Sequence, residues 1–210
     1  NIPAGNYSIE LIITNANGCS DTAVQNITVN PSPSANASVD INSGCTPLTV
    51  QFTNSSTGGL SYFWDFGDGI NSAVSDPSYT YTLAGNYIPT LTVINNFGCT
   101  DTFYVNPGVT ALLTPQISSI VNNQQACFND LVSYTTTLSD TLQPTYLWDF
   151  GFTTSNQYNP SINCTSTGLF DVSLIVTNNN GCSDTLIETD FLEIFDTVPP
   201  AINQIASVSV

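Results

Sequence analysis

Apolar and polar residues alternate with period two along most of the chain. In one stretch the apolar positions are Val39/Ile41, Leu48/Val50/Phe52, Tyr62/Trp64/Phe66 and Tyr87/Pro89/Leu91/Val93. A later stretch repeats the scheme with Val132/Tyr134, Tyr146/Trp148/Phe150 and Phe170/Val172/Leu174/Val176. Successive side chains of a strand point to opposite faces, so each set predicts a strand with one buried face. Clusters of Gly, Pro, Asn and Asp separate the sets, as expected for an all-β sandwich with short turns. No window carries the 3.6-residue period of an amphipathic helix.

A second, longer period overlies the first. Gly5-Asn6-Tyr7 followed by Asn17-Gly18-Cys19-Ser20-Asp21-Thr22 returns as Gly85-Asn86-Tyr87 and Phe97-Gly98-Cys99-Thr100-Asp101-Thr102. It returns again as Gly168-Leu169-Phe170 and Asn180-Gly181-Cys182-Ser183-Asp184-Thr185. A fixed offset of this length predicts tandem domains of one kind. The expected division is a partial repeat over 1–31, complete repeats over 32–108 and 109–197, and the start of another over 198–210. Both ends then fall within domains, as in a window of a longer array. Pro31-Ser32-Pro33 and Asn106-Pro107-Gly108 read as short junctions.

Composition narrows the functions such an array could have. The chain has no Lys, Arg or His against sixteen Asp and Glu, a formal charge of −16. Ordinary usage would supply roughly 25 basic residues at this length. Phosphate backbones need cations, so nucleic-acid binding is not expected. Anionic membrane surfaces would repel the chain, and no apolar run approaches the ~20 residues of a membrane helix. His-based triads and Lys Schiff bases cannot be built from these residues. Solubility rests on Ser, Thr and Asn, roughly a third of the residues, together with net negative charge. Six cysteines at recurring positions point to an oxidising compartment.

At Tyr62-Phe63-Trp64-Asp65-Phe66-Gly67-Asp68-Gly69 the chain resembles a PKD (polycystic kidney disease) domain. Asp76-Pro77-Ser78-Tyr79-Thr80-Tyr81 and Gly85-Asn86-Tyr87 extend the resemblance over nearly all of residues 34–107. It implies tandem immunoglobulin-like sandwiches of seven strands. The later repeat keeps Trp148-Asp149-Phe150-Gly151 but has Phe152-Thr153 in place of Asp-Gly and Cys164 in place of Tyr81, so it is a divergent copy. The Gly44-Cys45-Thr46-Pro47 opening with the Asn-Gly-Cys-Ser-Asp-Thr close resembles PKD arrays in giant surface adhesins of Bacteroidota, exported by the type IX secretion system.

Candidate sites follow from residue types. Asp65 and Asp68 are candidate calcium ligands, since hard cations take clustered carboxylates; the competing reading is that they fix the turn after the Trp strand. Trp64 and Trp148 are expected in the core rather than as sugar-stacking platforms. No pair of acids stands out as a catalytic couple, no cofactor is implied beyond that calcium, and no enzyme activity is expected.

For the cysteines, counting pairs Cys45 with Cys99 and Cys127 with Cys182, each closing a loop that contributes about 4 kcal/mol in the chain-entropy picture. In the sandwich implied by the resemblance those partners lie at opposite ends, roughly 20 Å apart, while a disulfide needs Cα atoms within ~7 Å. The topology favours Cys45 with Cys182 and Cys127 with Cys164, leaving Cys19 and Cys99 for partners upstream. Asp-Thr-aliphatic triplets make Thr22, Thr141, Thr185 and Thr197 candidate O-glycosylation positions by the same resemblance; Asp-Thr also simply suits the start of a strand. Asn26-Ile27-Thr28 is a sequon of consequence only in a eukaryotic secretory host.

The function expected is a stalk or adhesin segment of a long extracellular protein, with neighbouring repeats as its partners and surface glycans or other subunits beyond them. The alternative is an accessory or substrate-binding segment of a secreted hydrolase. A third is a fibre assembled by strand donation.

Overall fold

The computed structural model describes residues 2–122, 124–138 and 143–196. The chain divides into two units, Asn1–Leu112 and Leu113–Val210. Every regular element among the described residues is a β-strand.

The first unit opens with a hairpin of Gly5–Thr14 and Ser20–Val29, in register from Gly5 opposite Val29 to Thr14 opposite Ser20. A complete sandwich follows. One sheet orders Thr100–Tyr104, Thr90–Ile94, Ser61–Asp65 and Asn71–Ser72; a facing sheet orders Ala37–Val39, Leu48–Asn54 and Ser78–Tyr81. Period-two burial along Leu48–Asn54 puts Leu48, Val50 and Phe52 inside, against Trp64, Phe66, Leu91 and Val93. Phe52 lies 5.0 Å from Trp64 and 5.2 Å from Phe66, ring centroid to centroid. Such tilted aromatic pairs add directional attraction to the burial of large apolar areas.

Ser43–Cys45 pairs in parallel with Val109–Leu112, which pairs antiparallel with Gly85–Tyr87. The closing strand therefore runs four residues past the boundary expected at 108. Ile41 also departs from expectation. The strand ends at Val39, and Asp40 Oδ1 accepts the Ile41 and Gln51 backbone N–H groups. Satisfying those amides bends the chain from one sheet to the other and leaves Ile41 exposed.

The second unit repeats this plan. Gln125–Cys127, Ser183–Phe195, Gly168–Thr177, Thr145–Asp149 and Thr154–Ser155 form one sheet, with Gln125–Cys127 again parallel to the closing strand. Opposite lie Ile117–Val121 with Thr135–Leu138 and Leu131–Ser133 with Ser161–Asn163. The uninterrupted strand Leu48–Asn54 is thus replaced by two shorter ones. The residue between them, Tyr134, fills the place of Phe52 and packs on Trp148 and Phe150 at 5.7 and 4.7 Å.

Candidate functional site

Both tryptophans are fully buried, and each indole N–H donates to a backbone carbonyl, Trp64 to Ser75 and Trp148 to Gln157, at 3.0 Å. A buried, satisfied indole holds the core and offers no face to a sugar.

Asp65 and Asp68 meet in the turn that follows. Asp65 Oδ1 accepts the Gly67 N–H at 2.8 Å, and Asp68 Oδ1 accepts the Ile70 N–H at 3.1 Å. Asp68 Oδ2 accepts the Tyr79 hydroxyl at 2.6 Å. Gly67 has φ +85°, and a Cβ there would stand 2.9 Å from the Ile88 nitrogen, so the turn requires glycine twice over. Asp149 repeats the first contact, accepting the Gly151 N–H at 2.8 Å. Where Asp68 would be, Phe152 instead packs edge-on against Phe170, 4.8 Å away. Among the described residues no three His, Cys, Asp or Glu side chains are grouped to hold a metal ion.

Burial, with the Asp68 hydrogen bond and charge behind it, pushes the Tyr79 hydroxyl up to about 12. Burial likewise raises Tyr81, whose hydroxyl donates to the Phe66 carbonyl at 2.9 Å. Tyr134 is pushed up to about 12, mainly by burial, but its hydroxyl has no hydrogen-bond partner. Cys164, in the place of Tyr81, is buried, and burial and the nearby Asp130 carboxylate raise its thiol.

Cys45 and Cys182 are disulfide-bonded. Cys19, Cys99, Cys127 and Cys164 are free. The one-per-repeat pairing, which uses Cys99 and Cys127, is not made. Nor is the link expected between Cys127 and Cys164. Their segments are adjacent, since Asn129 N donates to Cys164 O at 2.8 Å and Cys164 N to Asp130 O at 3.0 Å. Yet Cys164 is sealed in the core while Cys127 is exposed on a turn. Of the Asp-Thr positions, Thr22 and Thr185 are exposed, and Thr141 and Thr197 lie outside the described residues.

The recurring Asn-x-x-Gly-Cys-x-Asp-Thr hairpin carries a role that its recurrence alone did not disclose. Its Asn caps the loop: Asn95 Oδ1 accepts Phe97 N and Cys99 N, and Asn178 Oδ1 accepts Asn180 N and Cys182 N. Asn15 Oδ1 does the same for Asn17 and Cys19. In the complete repeats the remaining polar atoms reach much further. Asn95 Nδ2 donates to Pro31 O at 2.6 Å, and Asp101 Oδ2 accepts Ala35 N at 2.8 Å. Asn178 Nδ2 donates to Leu113 O at 2.7 Å, and Asp184 Oδ2 accepts Ile117 N at 2.7 Å. Each hairpin therefore clamps the main chain of its own incoming segment at two points four residues apart. Between them Pro33 and Pro115 are buried. The alternating sequence pattern reports burial within strands; a clamp joining residues 64 to 67 apart leaves no such trace.

Residues 28–106 match the family described as PKD domain. Over 54 residues, 25% of this chain, the sequence is 46% identical to the pre-pro-metalloprotease PrtV of Vibrio cholerae serotype O1 (strain M66-2), of whose length it spans 6%. The crystal structure of the PKD1 domain of Vibrio anguillarum Epp is 35% identical, covering 40% of this chain and 100% of that one, with a TM-score of 0.34. The PKD1 domain from the Vibrio cholerae metalloprotease PrtV is 34% identical, covering 39% of this chain and 100% of that one, also at 0.34.

Proposed function

Because the chain carries a PKD domain across residues 28–106, we propose that it is a structural segment of a long extracellular protein, a stalk that holds binding regions away from a cell surface. One observation carries the reading. In both units the strand near the start pairs in parallel with the closing strand, Ser43–Cys45 with Val109–Leu112 and Gln125–Cys127 with Ser183–Phe195. Tension on the two ends of such a repeat loads the ladder's hydrogen bonds in shear, together, rather than one after another. The clamps on Pro31–Ala35 and Leu113–Ile117 protect the point where that tension enters. Two disulfide-bonded cysteines favour an oxidising compartment outside the cell. The resemblance to type IX-exported adhesins favours a surface-attached array, and the reading assigns the segment no catalytic step.

A second reading, an accessory segment of a secreted hydrolase, is favoured by the 46% identity to part of a metalloprotease. The two separate on the mass of the intact native polypeptide, mapped with a protease that cuts at Asp or Glu. A chain dominated by further repeats supports the stalk. A short chain with one large non-repeating domain sinks it in favour of the hydrolase.

A further inference from the structure

The first hairpin carries the same clamp, and its long-range atoms are unoccupied. Asn15 Oδ1 caps its loop and Asp21 Oδ1 accepts Thr22 N, as in the other copies, but Asn15 Nδ2 and Asp21 Oδ2 have no partner. They open onto a groove of about 340 Å³ lined by Ile13, Thr14, Asn15, Cys19, Ser20 and Asp21. The adjoining sheet face is bare as well: Leu11 and Ile13 are 62% and 61% exposed, whereas their counterparts Leu91 and Val93 are fully buried.

The two occupied copies define what this groove takes. Pro31-Ser32-Pro33-Ser34-Ala35 and Leu113-Thr114-Pro115-Gln116-Ile117 each offer a carbonyl at the first position, a buried proline at the third and an N–H at the fifth. The proline is suited to the middle place: its fixed φ favours extended chain and it brings no N–H to leave unsatisfied. One other segment of the chain has this form. Val198-Pro199-Pro200-Ala201-Ile202, outside the described residues, places a proline third between a residue with a free carbonyl and one with a free N–H.

We propose that the Ile13–Asp21 groove is a docking site for an extended, proline-centred strand, and that its occupant is Val198–Ile202 of a second copy of this chain. Asn15 Nδ2 donates to the Val198 carbonyl and Asp21 Oδ2 accepts the Ile202 N–H. Residues 203–210 bring Ile205, Val208 and Val210 for the bare face beside the groove. The association is head to tail, because groove and strand sit on opposite ends of the sequence; a heterologous contact of that kind propagates or closes into a ring.

Sedimentation velocity of the whole chain over a concentration series tests this, with a non-reducing gel run alongside to identify thiol-linked dimers. Self-association is expected, weakened about tenfold or more by Asn15→Asp or Asp21→Asn. Each variant keeps the Oδ1 that caps its own turn, so the hairpin stays folded, with unshifted Asn95 and Asn178 side-chain amide resonances as the control. A chain ending at residue 196 remains monomeric. A synthetic peptide of residues 198–210 shifts the Asn15 side-chain amide resonance and dissociates the assembly. A chain that stays monomeric, or that associates equally well as Asp21→Asn, overturns the proposal. So does a peptide that binds the groove while the chain itself shows no association, since the strand then comes from a different polypeptide.

Discussion

The Tyr79 hydroxyl donates to the Asp68 carboxylate at 2.6 Å, tying the turn after the Trp64 strand to the strand Ser78–Tyr81 of the facing sheet. Asp68 thereby spends one oxygen on its own turn and the other on a cross-sheet strut. The same residue that invites a calcium reading from its charge is committed to holding two layers of the sandwich together. Millimolar calcium is expected to leave the Tm unchanged, and Asp68→Ala to lower stability by about 1–2 kcal/mol, both read by thermal unfolding. A calcium-dependent rise in Tm that disappears in Asp68→Ala would restore the metal reading.

That strut also sets a pH limit. Tyr79 has its hydroxyl raised from 10.0 to about 12. In that interval the unfolded chain releases the proton that the folded repeat retains. The stabilisation is fully present below pH 10 and is lost as pH rises towards 12. Phenolate absorbance should show Tyr79 titrating nearer its ordinary value in Asp68→Asn, with the onset of alkaline unfolding shifted accordingly.

Tyr134 gives a prediction of the opposite sign. Its hydroxyl is buried without a partner, where the first complete repeat has Phe52. Tyr134→Phe is expected to stabilise the second unit by about 1 kcal/mol in denaturant unfolding, because it removes a desolvated group that makes no hydrogen bond. Tyr81→Phe, which breaks the bond to the Phe66 carbonyl, should cost a similar amount. A destabilising Tyr134→Phe would mean that the hydroxyl is satisfied in solution.

The clamps predict a position-dependent effect of one chemical change. Asp101→Asn and Asp184→Asn each remove the acceptor for a backbone N–H of the incoming segment, at about 1–2 kcal/mol apiece. Hydrogen exchange at Ala35 and Ile117 should accelerate in the respective variants. Asp21→Asn, whose corresponding oxygen has no intrachain partner, should leave the monomer's stability within experimental error.

Peptide mapping under non-reducing conditions, with cleavage at Asp or Glu, decides the cysteine pairing. The topological argument from the sequence expects one linked pair of peptides containing Cys45 and Cys182. Alkylation is expected to modify Cys19 and Cys127 in the folded chain, while the buried Cys164 reacts only on unfolding. A linked Cys45–Cys99 pair would overturn that argument.

How legible each feature was in the sequence depends on the range over which it is encoded. Strands with one buried face announce themselves within a few residues, so Val50, Phe52, Trp64, Leu91 and Val93 could be placed in a core from alternation alone. The turn at Asp65-Phe66-Gly67-Asp68 was equally local, and its two readings could be stated, though the choice between them needed the Tyr79 contact. Ile41 misled because alternation continues through it, while Asp40 ends the strand by taking two backbone amides. The parallel pairing of Ser43–Cys45 with Val109–Leu112 and the grip of Asn95 on Pro31 join distant segments through main-chain atoms. Main-chain atoms are the same in every residue, so composition and periodicity carry no record of them.

That indifference has an evolutionary corollary. Each hairpin grips a carbonyl and an amide of its incoming segment, and Pro31–Ala35 and Leu113–Ile117 share only the central proline. A lock that reads only the backbone tolerates almost any side chains on its key. Copies of the repeat can be duplicated, deleted or reordered within a gene without re-matching a specific interface, and each recombinant arrives with its own lock fitted. Lengthening such a protein then requires unequal crossing-over and very little subsequent adaptation.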